Sequence, residues 1–122
     1  MKYDIQILNN ISPVGLERLP TDSYALAEEM DDPHAILLRS QNLHEMDISD
    51  GLLAVGRAGA GVNNIPLDRM TEKGVVVFNA PGANANAVKE LVIAGMLMGC
   101  RNLVAAHEYV CRLEGDDDYI HR

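Results

Sequence analysis

Leu52-Leu53-Ala54-Val55-Gly56-Arg57-Ala58-Gly59-Ala60-Gly61-Val62-Asn63-Asn64 is an apolar run that breaks into a glycine-rich turn with an arginine at its lip. The run from Leu52 to Val55 predicts a buried strand, and Gly59-Ala60-Gly61 lets backbone N–H groups come close to a ligand. The same unit of strand then polar turn recurs on both sides. Upstream, Ile5 to Leu8 ends at Asn9-Asn10 and Ala35 to Leu38 ends at Arg39-Ser40; downstream, Val75 to Phe78 ends at Asn79-Ala80-Pro81-Gly82. Tyr24 to Met30, bounded by Thr21-Asp22 and Asp31-Asp32-Pro33, is ambiguous between helix and strand. It reads as a short edge strand because another strand follows at once.

Helical signals separate these runs. Ser12 is a candidate N-cap with Pro13 at the first helical position, and Leu16 and Leu19 supply an apolar face before Pro20. Asn42 and Glu45 have the spacing of a capping box, predicting a brief helix closed by Gly51. Pro66 opens another through Leu67 and Met70, stopped at Gly74. The longest helical pattern runs from Asn86 to His107 and is apolar nearly all round as far as Cys100. Such a helix must be covered by more than its own sheet, either by further chain or by a second subunit. Glu108 to Arg122 turns polar and reads as a linker. Short apolar strands alternating with helices predict an α/β doubly wound parallel sheet of about five strands with a long C-terminal helix.

Composition sets the outer bounds. A chain of 122 residues, 48% apolar and 23% charged, fits one globular domain. With one Phe, four Tyr and no Trp, its core must be mainly aliphatic and Met. The formal charge of −8 argues against a nucleic-acid binder, since phosphate neutralisation needs a basic face. Cys100 and Cys111 have neither metal nor CxxC spacing and read as buried free thiols. His34, His44, His107 and His121 share no metal spacing and read as surface histidines, and Asp31-Asp32 and Asp116 to Asp118 as solvated charge runs. No apolar stretch suggests a leader at Met1-Lys2-Tyr3-Asp4, and Leu91 to Cys100 is too short to span a bilayer. The expectation is a cytoplasmic protein with no membrane contact.

In an open parallel sheet, ligands bind beyond the carboxyl ends of the strands. Three such ends carry polar groups here: Arg39-Ser40, Arg57 with its glycine turn, and Asn79. On neighbouring strands these tips would share one rim, where guanidinium groups and backbone N–H donors suit a small anion such as a carboxylate or phosphate ester. The bland alternatives are surface salt bridges for the arginines and a turn cap for Asn79. The turn itself is not a dinucleotide fingerprint. Its third glycine position is Asn64, the next helix is short, and it does not follow the first strand.

Ala35-Ile36-Leu37-Leu38-Arg39-Ser40, Gly56 through Ile65, Asn79-Ala80-Pro81-Gly82-Ala83-Asn84 and Val88-Lys89-Glu90-Leu91, in that order, resemble the N-terminal part of D-isomer-specific 2-hydroxyacid dehydrogenases. The resemblance covers nearly the whole chain. It implies that residues 1–107 belong to a flavodoxin-like substrate-binding domain and that 108–122 lead toward a separate NAD-binding Rossmann domain. The family's catalytic Arg, Glu and His are expected in that further part, so no catalytic residue is expected here. By the same likeness Arg39, Ser40, Arg57, Ala58, Gly59 and Asn79 match substrate-binding positions and Ala60 a contact to NAD. The helix 86–107 matches one that pairs subunits into a homodimer. Asn63 and Pro66 stand where the family commonly has aspartates, and Lys89 where it has a small residue.

The implied reaction is oxidation of D-3-phosphoglycerate at its 2-hydroxyl to 3-phosphohydroxypyruvate, at the entry to serine biosynthesis. Within the family the alternative is reduction of glyoxylate, hydroxypyruvate or another 2-keto acid, which needs only one carboxylate anchor. A flavodoxin-like regulatory module is the reading from another class. A receiver of that kind needs a phosphoacceptor Asp after the third strand, where this chain has Arg39.

Overall fold

The computed structural model describes residues 1–113. Five strands form one sheet: β1 (Tyr3–Leu8), β2 (Tyr24–Ala27), β3 (Ala35–Leu38), β4 (Ala54–Arg57) and β5 (Val76–Asn79). Their order is β2-β1-β3-β4-β5 and every neighbouring pair is parallel. With β1 inside and β2 at the edge, this is the flavodoxin-like arrangement of an α/β fold. The helices are α1 (Pro13–Leu16), α2 (Leu67–Glu72), α3 (Ala85–Cys100) and α4 (Leu103–Cys111). The chain divides after Ala83 into two compact units, Met1–Ala83 and the part from Asn84 onward.

In the first unit the core lies against one sheet face. Ile36, Leu38 and Val55 project from β3 and β4 and are at most 1% exposed. Leu43, Ile48, Leu52, Ile65, Met70 and Val75 close over them. On the opposite face Ile5 and Ile7 are buried, whereas Val76 and Phe78 on β5 are 53% and 61% exposed.

Much of the cover is irregular chain. The helix expected between Asn42 and Gly51 does not form; the segment is turns. Asn42 Oδ1 accepts the N–H of His44 at 2.9 Å, an Asx turn that competes with helix entry. Leu43 and Ile48, five residues apart and so on different sides of any helix, both enter the core, as does Leu52. Arg69 on α2 fastens the segment, donating to the carbonyls of His44 at 2.6 Å and Met46 at 3.0 Å. Lys73 Nζ reaches Asp50 Oδ1 at 2.6 Å, and this hydrogen bond, with the lysine's charge, holds that exposed carboxyl below its usual value. Gly74 follows at φ +72°, a left-handed turn that returns the chain to β5.

Two boundaries differ from expectation. Strand β4 starts at Ala54 rather than Leu52, because Leu52 turns into the core and Ala54 is the first residue paired with β3, opposite Ala35. The helix expected over 86–107 is two helices, divided at Asn102, whose φ of 54° is left-handed. Asn tolerates that conformation, and its carbonyl accepts the N–H of Ala106 to open α4. Residues 108–111, expected in a linker, belong to α4, and 114–122, including Asp116 to Asp118 and His121, lie outside the described residues.

Neither α3 nor α4 contains a buried residue. Cys100 and Cys111 are accordingly exposed free thiols, not buried ones. His34 is half-buried rather than on the surface: its Nδ1 accepts the N–H of Asp4 at 3.0 Å. No helix among the described residues is long and apolar enough to cross a membrane.

Candidate functional site

Strand order and register place the polar tips side by side. Leu38, Arg57 and Asn79 pair across β3, β4 and β5, so the turns that follow these strands share one end of the sheet. Arg39 and Ser40 stand on the first turn, Ala58 to Gly61 on the second and Ala80 on the third.

The glycine turn is built around its arginine. Arg57 Nε donates to the carbonyl of Arg39 at 3.0 Å, and Nη1 donates to the carbonyl of Gly61. The guanidinium lies where side chains at the glycines would stand: a Cβ on Gly59 or Gly61 would come within 3.1 or 3.2 Å of Nη1. A side chain at either position would crowd the guanidinium, which would have to give by a few tenths of an ångström. From β5, Asn79 Nδ2 donates to the carbonyl of Ala60 at 2.7 Å and the N–H of Ala80 to that of Gly59 at 3.0 Å. The turn is thus braced from both neighbouring strands with a fixed cation inside it.

The free donors can be identified one by one. The N–H of Ala58 donates to the Leu38 carbonyl at 2.8 Å and that of Gly59 to the Arg57 carbonyl at 2.9 Å. Among the described residues the N–H groups of Ala60 and Gly61 and the Nη2 of Arg57 have no partner. These three groups are unpaired donors on the glycine turn. The side chain of Arg39 is exposed, while its carbonyl anchors Arg57. Ser40 contributes its N–H to Asn9 Oδ1 at 3.0 Å.

Beside the turn lies a cleft of about 230 Å³ lined by Ile11, Leu37, Gly56, Arg57, Ala58, Phe78 and Asn79. Among the described residues Arg57 is the one charged residue of the lining and Asn79 the other with a polar side chain, the rest being apolar, so an anion–guanidinium contact there is less screened than in open water. A cavity of about 280 Å³ elsewhere in the unit includes Asp31 and Asp47 in its lining, carboxylates that repel an anion.

Asn9, Ile11 and Phe78 are residues at this end of the sheet that the sequence did not single out. Asn9 was legible only as the stop of a strand, and an exposed Phe gives no signal in a strand run. Asn64, in the third glycine position of the apparent fingerprint, is a brace: its Nδ2 donates to the Gln41 carbonyl at 2.7 Å. Among the described residues no group of His, Cys, Asp and Glu could hold a metal ion.

The described residues do not make a dinucleotide site. A pyrophosphate needs a helix N-terminus directly after the glycine turn, and here the next helix begins only at Leu67. What the arrangement brings to one end of the sheet is a held guanidinium, an exposed second arginine and unpaired backbone N–H groups.

Residues 2–114 match the family model described as D-isomer specific 2-hydroxyacid dehydrogenase, catalytic domain. The D-3-phosphoglycerate dehydrogenase of Methanocaldococcus jannaschii is 37% identical over 94 residues, which is 75% of this chain and 18% of that protein. The chain thus spans about a fifth of that relative's length. Among solved structures, an NADPH-dependent glyoxylate/hydroxypyruvate reductase from Sinorhizobium meliloti in complex with citrate superposes with a TM-score of 0.72. It is 24% identical, and the match covers 92% of this chain and 39% of that one. An NAD+-bound 3-phosphoglycerate dehydrogenase from Entamoeba histolytica gives a TM-score of 0.67 at 22% identity, over 81% of this chain and 39% of its own. At these identities the two structures support the fold alone.

Proposed function

The chain belongs to the D-isomer-specific 2-hydroxyacid dehydrogenases, a family of oxidoreductases, and from that premise we propose that it supplies the anion-holding part of a site for D-3-phosphoglycerate. The observation that carries the reading is Arg57, fixed by two carbonyls beside a turn in which, among the described residues, the N–H groups of Ala60 and Gly61 have no partner. Arg57 and the N–H groups of Ala60 and Gly61 hold the carboxylate; Arg39, exposed on the adjacent tip, takes the phosphate. Ser40 and Asn79 fix the two flanking turns, and the Ala58-Gly59 backbone keeps the donors aimed. Holding both ends of the substrate orients its hydroxyl-bearing carbon, which is a positioning contribution to rate.

The parent reaction is oxidation of the 2-hydroxyl with NAD, at the entry to serine biosynthesis, in a cytoplasmic enzyme. The hydride acceptor is held by a separate Rossmann domain, for which the greater length of the relatives leaves room. Ala60 is this chain's point of approach to it. The 122 residues alone bind substrate but do not turn it over.

Nuclear magnetic resonance titration of the 122-residue chain tests the reading. D-3-phosphoglycerate should shift the amides of Ala60 and Gly61 with a dissociation constant on the order of 1 mM, about 4 kcal/mol of binding. Arg39→Ala should weaken that binding about tenfold and leave glyoxylate binding unchanged. Equal loss for both ligands, or no saturable shift with wild type, overturns the assignment to a phosphorylated substrate. Formation of NADH by this chain would overturn the division of labour.

Assembly follows from the second unit. Val88, Leu91, Val92, Ile93, Met96 and Leu97 on α3 are all exposed apolar residues, and we propose that they pair two subunits into a homodimer. Light scattering should give twice the chain mass at about 100 μM. Leu91→Asp combined with Met96→Asp should return it to the monomer mass; a wild-type monomer at that concentration would refute the pairing.

A further inference from the structure

Asn9 has no place in the family resemblance or in the ligand contacts just described, yet it stands beside the anion rim. Strand β1 neighbours β3, so the residue after β1 faces the turn after β3. Asn9 adopts φ 65°, a left-handed conformation that costs a residue with a side chain free energy unless something holds it there. What holds it is its own amide. Asn9 Oδ1 accepts the N–H of Ser40 at 3.0 Å and that of Gln41 at 2.5 Å, bridging to a segment 31 and 32 residues away.

That segment carries Arg39. The same three-residue stretch is tied on its other side, because the Arg39 carbonyl accepts Arg57 Nε. Asn9 and Arg57 therefore grip the Arg39 turn from opposite neighbours, β1 and β4. The left-handed bend at Asn9 also redirects the chain just before Ile11, which lines the cleft beside Arg57. One residue thus sets a polar wall through its side chain and an apolar wall through its backbone.

We propose that Asn9 is a positioning residue for anion binding, holding the Arg39-Ser40 turn in register with the glycine turn. The inference rests on the binding reading given above. It predicts that the two roles of Asn9 separate by substitution. Asn9→Gly keeps the left-handed backbone and deletes the acceptor. Asn9→Asp keeps the acceptor and adds a negative charge near the rim.

Hydrogen exchange and D-3-phosphoglycerate titration of the 122-residue chain, read residue by residue, test this. Asn9→Gly should speed exchange of the Ser40 and Gln41 amides at least tenfold, leave Val55 protected and weaken 3-phosphoglycerate about tenfold. Asn9→Asp should restore protection at Ser40 and Gln41 while weakening the anion in a way that added salt reduces. Unchanged exchange in Asn9→Gly, or faster exchange with wild-type affinity, overturns the inference. If glycine also releases Val55, the unit has unfolded and Asn9→Asp decides: loss of Ser40 and Gln41 protection there overturns it. A wild-type chain that binds no 3-phosphoglycerate refutes the substrate reading, a result distinct from a wild type that binds and variants that bind equally well.

Discussion

Arg57→Ala should abolish measurable anion binding while leaving the sheet folded. Each charge-assisted hydrogen bond from the guanidinium to a ligand is worth about 1.5–3 kcal/mol, so its loss weakens binding roughly 10–150-fold. From a millimolar starting point the upper end of that range leaves no saturable shift at accessible concentrations, and a second loss in this fold drives the variant toward that end. The guanidinium also holds the carbonyls of Arg39 and Gly61, and without it the glycine turn loses that tie to the Arg39 turn. Arg57→Lys separates the two: an ammonium keeps the charge but cannot fork between both carbonyls, so binding should fall about tenfold rather than vanish. Titration of both variants, with urea unfolding as a control for folding, checks this. An Arg57→Ala chain that binds within threefold of wild type would show that the arginine only shapes the turn.

The largest effect on stability is expected from Leu38→Ala. Leu38 is 0% exposed, lies in the core cluster and sits one residue before the Arg39 turn. Deleting a fully buried leucine costs about 2–5 kcal/mol, from lost transfer energy plus the cavity left behind. At about 0.05–0.15 kcal/mol per residue, a unit spanning Met1–Ala83 has a total stability on the order of 4–12 kcal/mol. The substitution therefore removes a large share of it, and the urea midpoint should fall by more than 1 M. Val14→Ala, at a side chain 73% exposed, should leave the midpoint within error. A Leu38→Ala chain as stable as wild type would mean that this cluster is not the core of the first unit.

How much of this was legible depended on whether local pattern or distant partners decide a feature. Runs such as Ala35 to Leu38 and Val75 to Phe78 announced strands because each is a short continuous apolar stretch ending in a polar turn, and their alternation with helices announced a parallel sheet. The Asn42 to Gly51 segment misled because a capping box is a local signal, while Leu43, Ile48 and Leu52 answer to a core built from β3, β4 and α2. The break at Asn102 falls on the polar pair Arg101-Asn102, which a continuous helix accommodates as a solvated position just as readily as a left-handed turn does. At the site, the adjacency of Arg39, Arg57 and Asn79 followed from placing them at the tips of neighbouring strands. That Arg57 binds its own loop, and that Asn9 reaches across to Ser40, are contacts between residues distant in sequence that no spacing encodes.

Strand order also bears on how the molecule is made. After β1 and β2 have paired, β3 joins β1 on its other side, and β4 and β5 add outward one at a time in the sequence in which they are synthesised. A chain emerging from the ribosome amino end first can lay each strand on an edge that already exists, so no strand need wait for a later one before finding its neighbour. The three tips of the anion rim are thereby set in the order Arg39, Arg57, Asn79. The edge at β2 is laid down with the first pair and is never covered by a later strand, whereas β5 becomes an edge only when the sheet is complete.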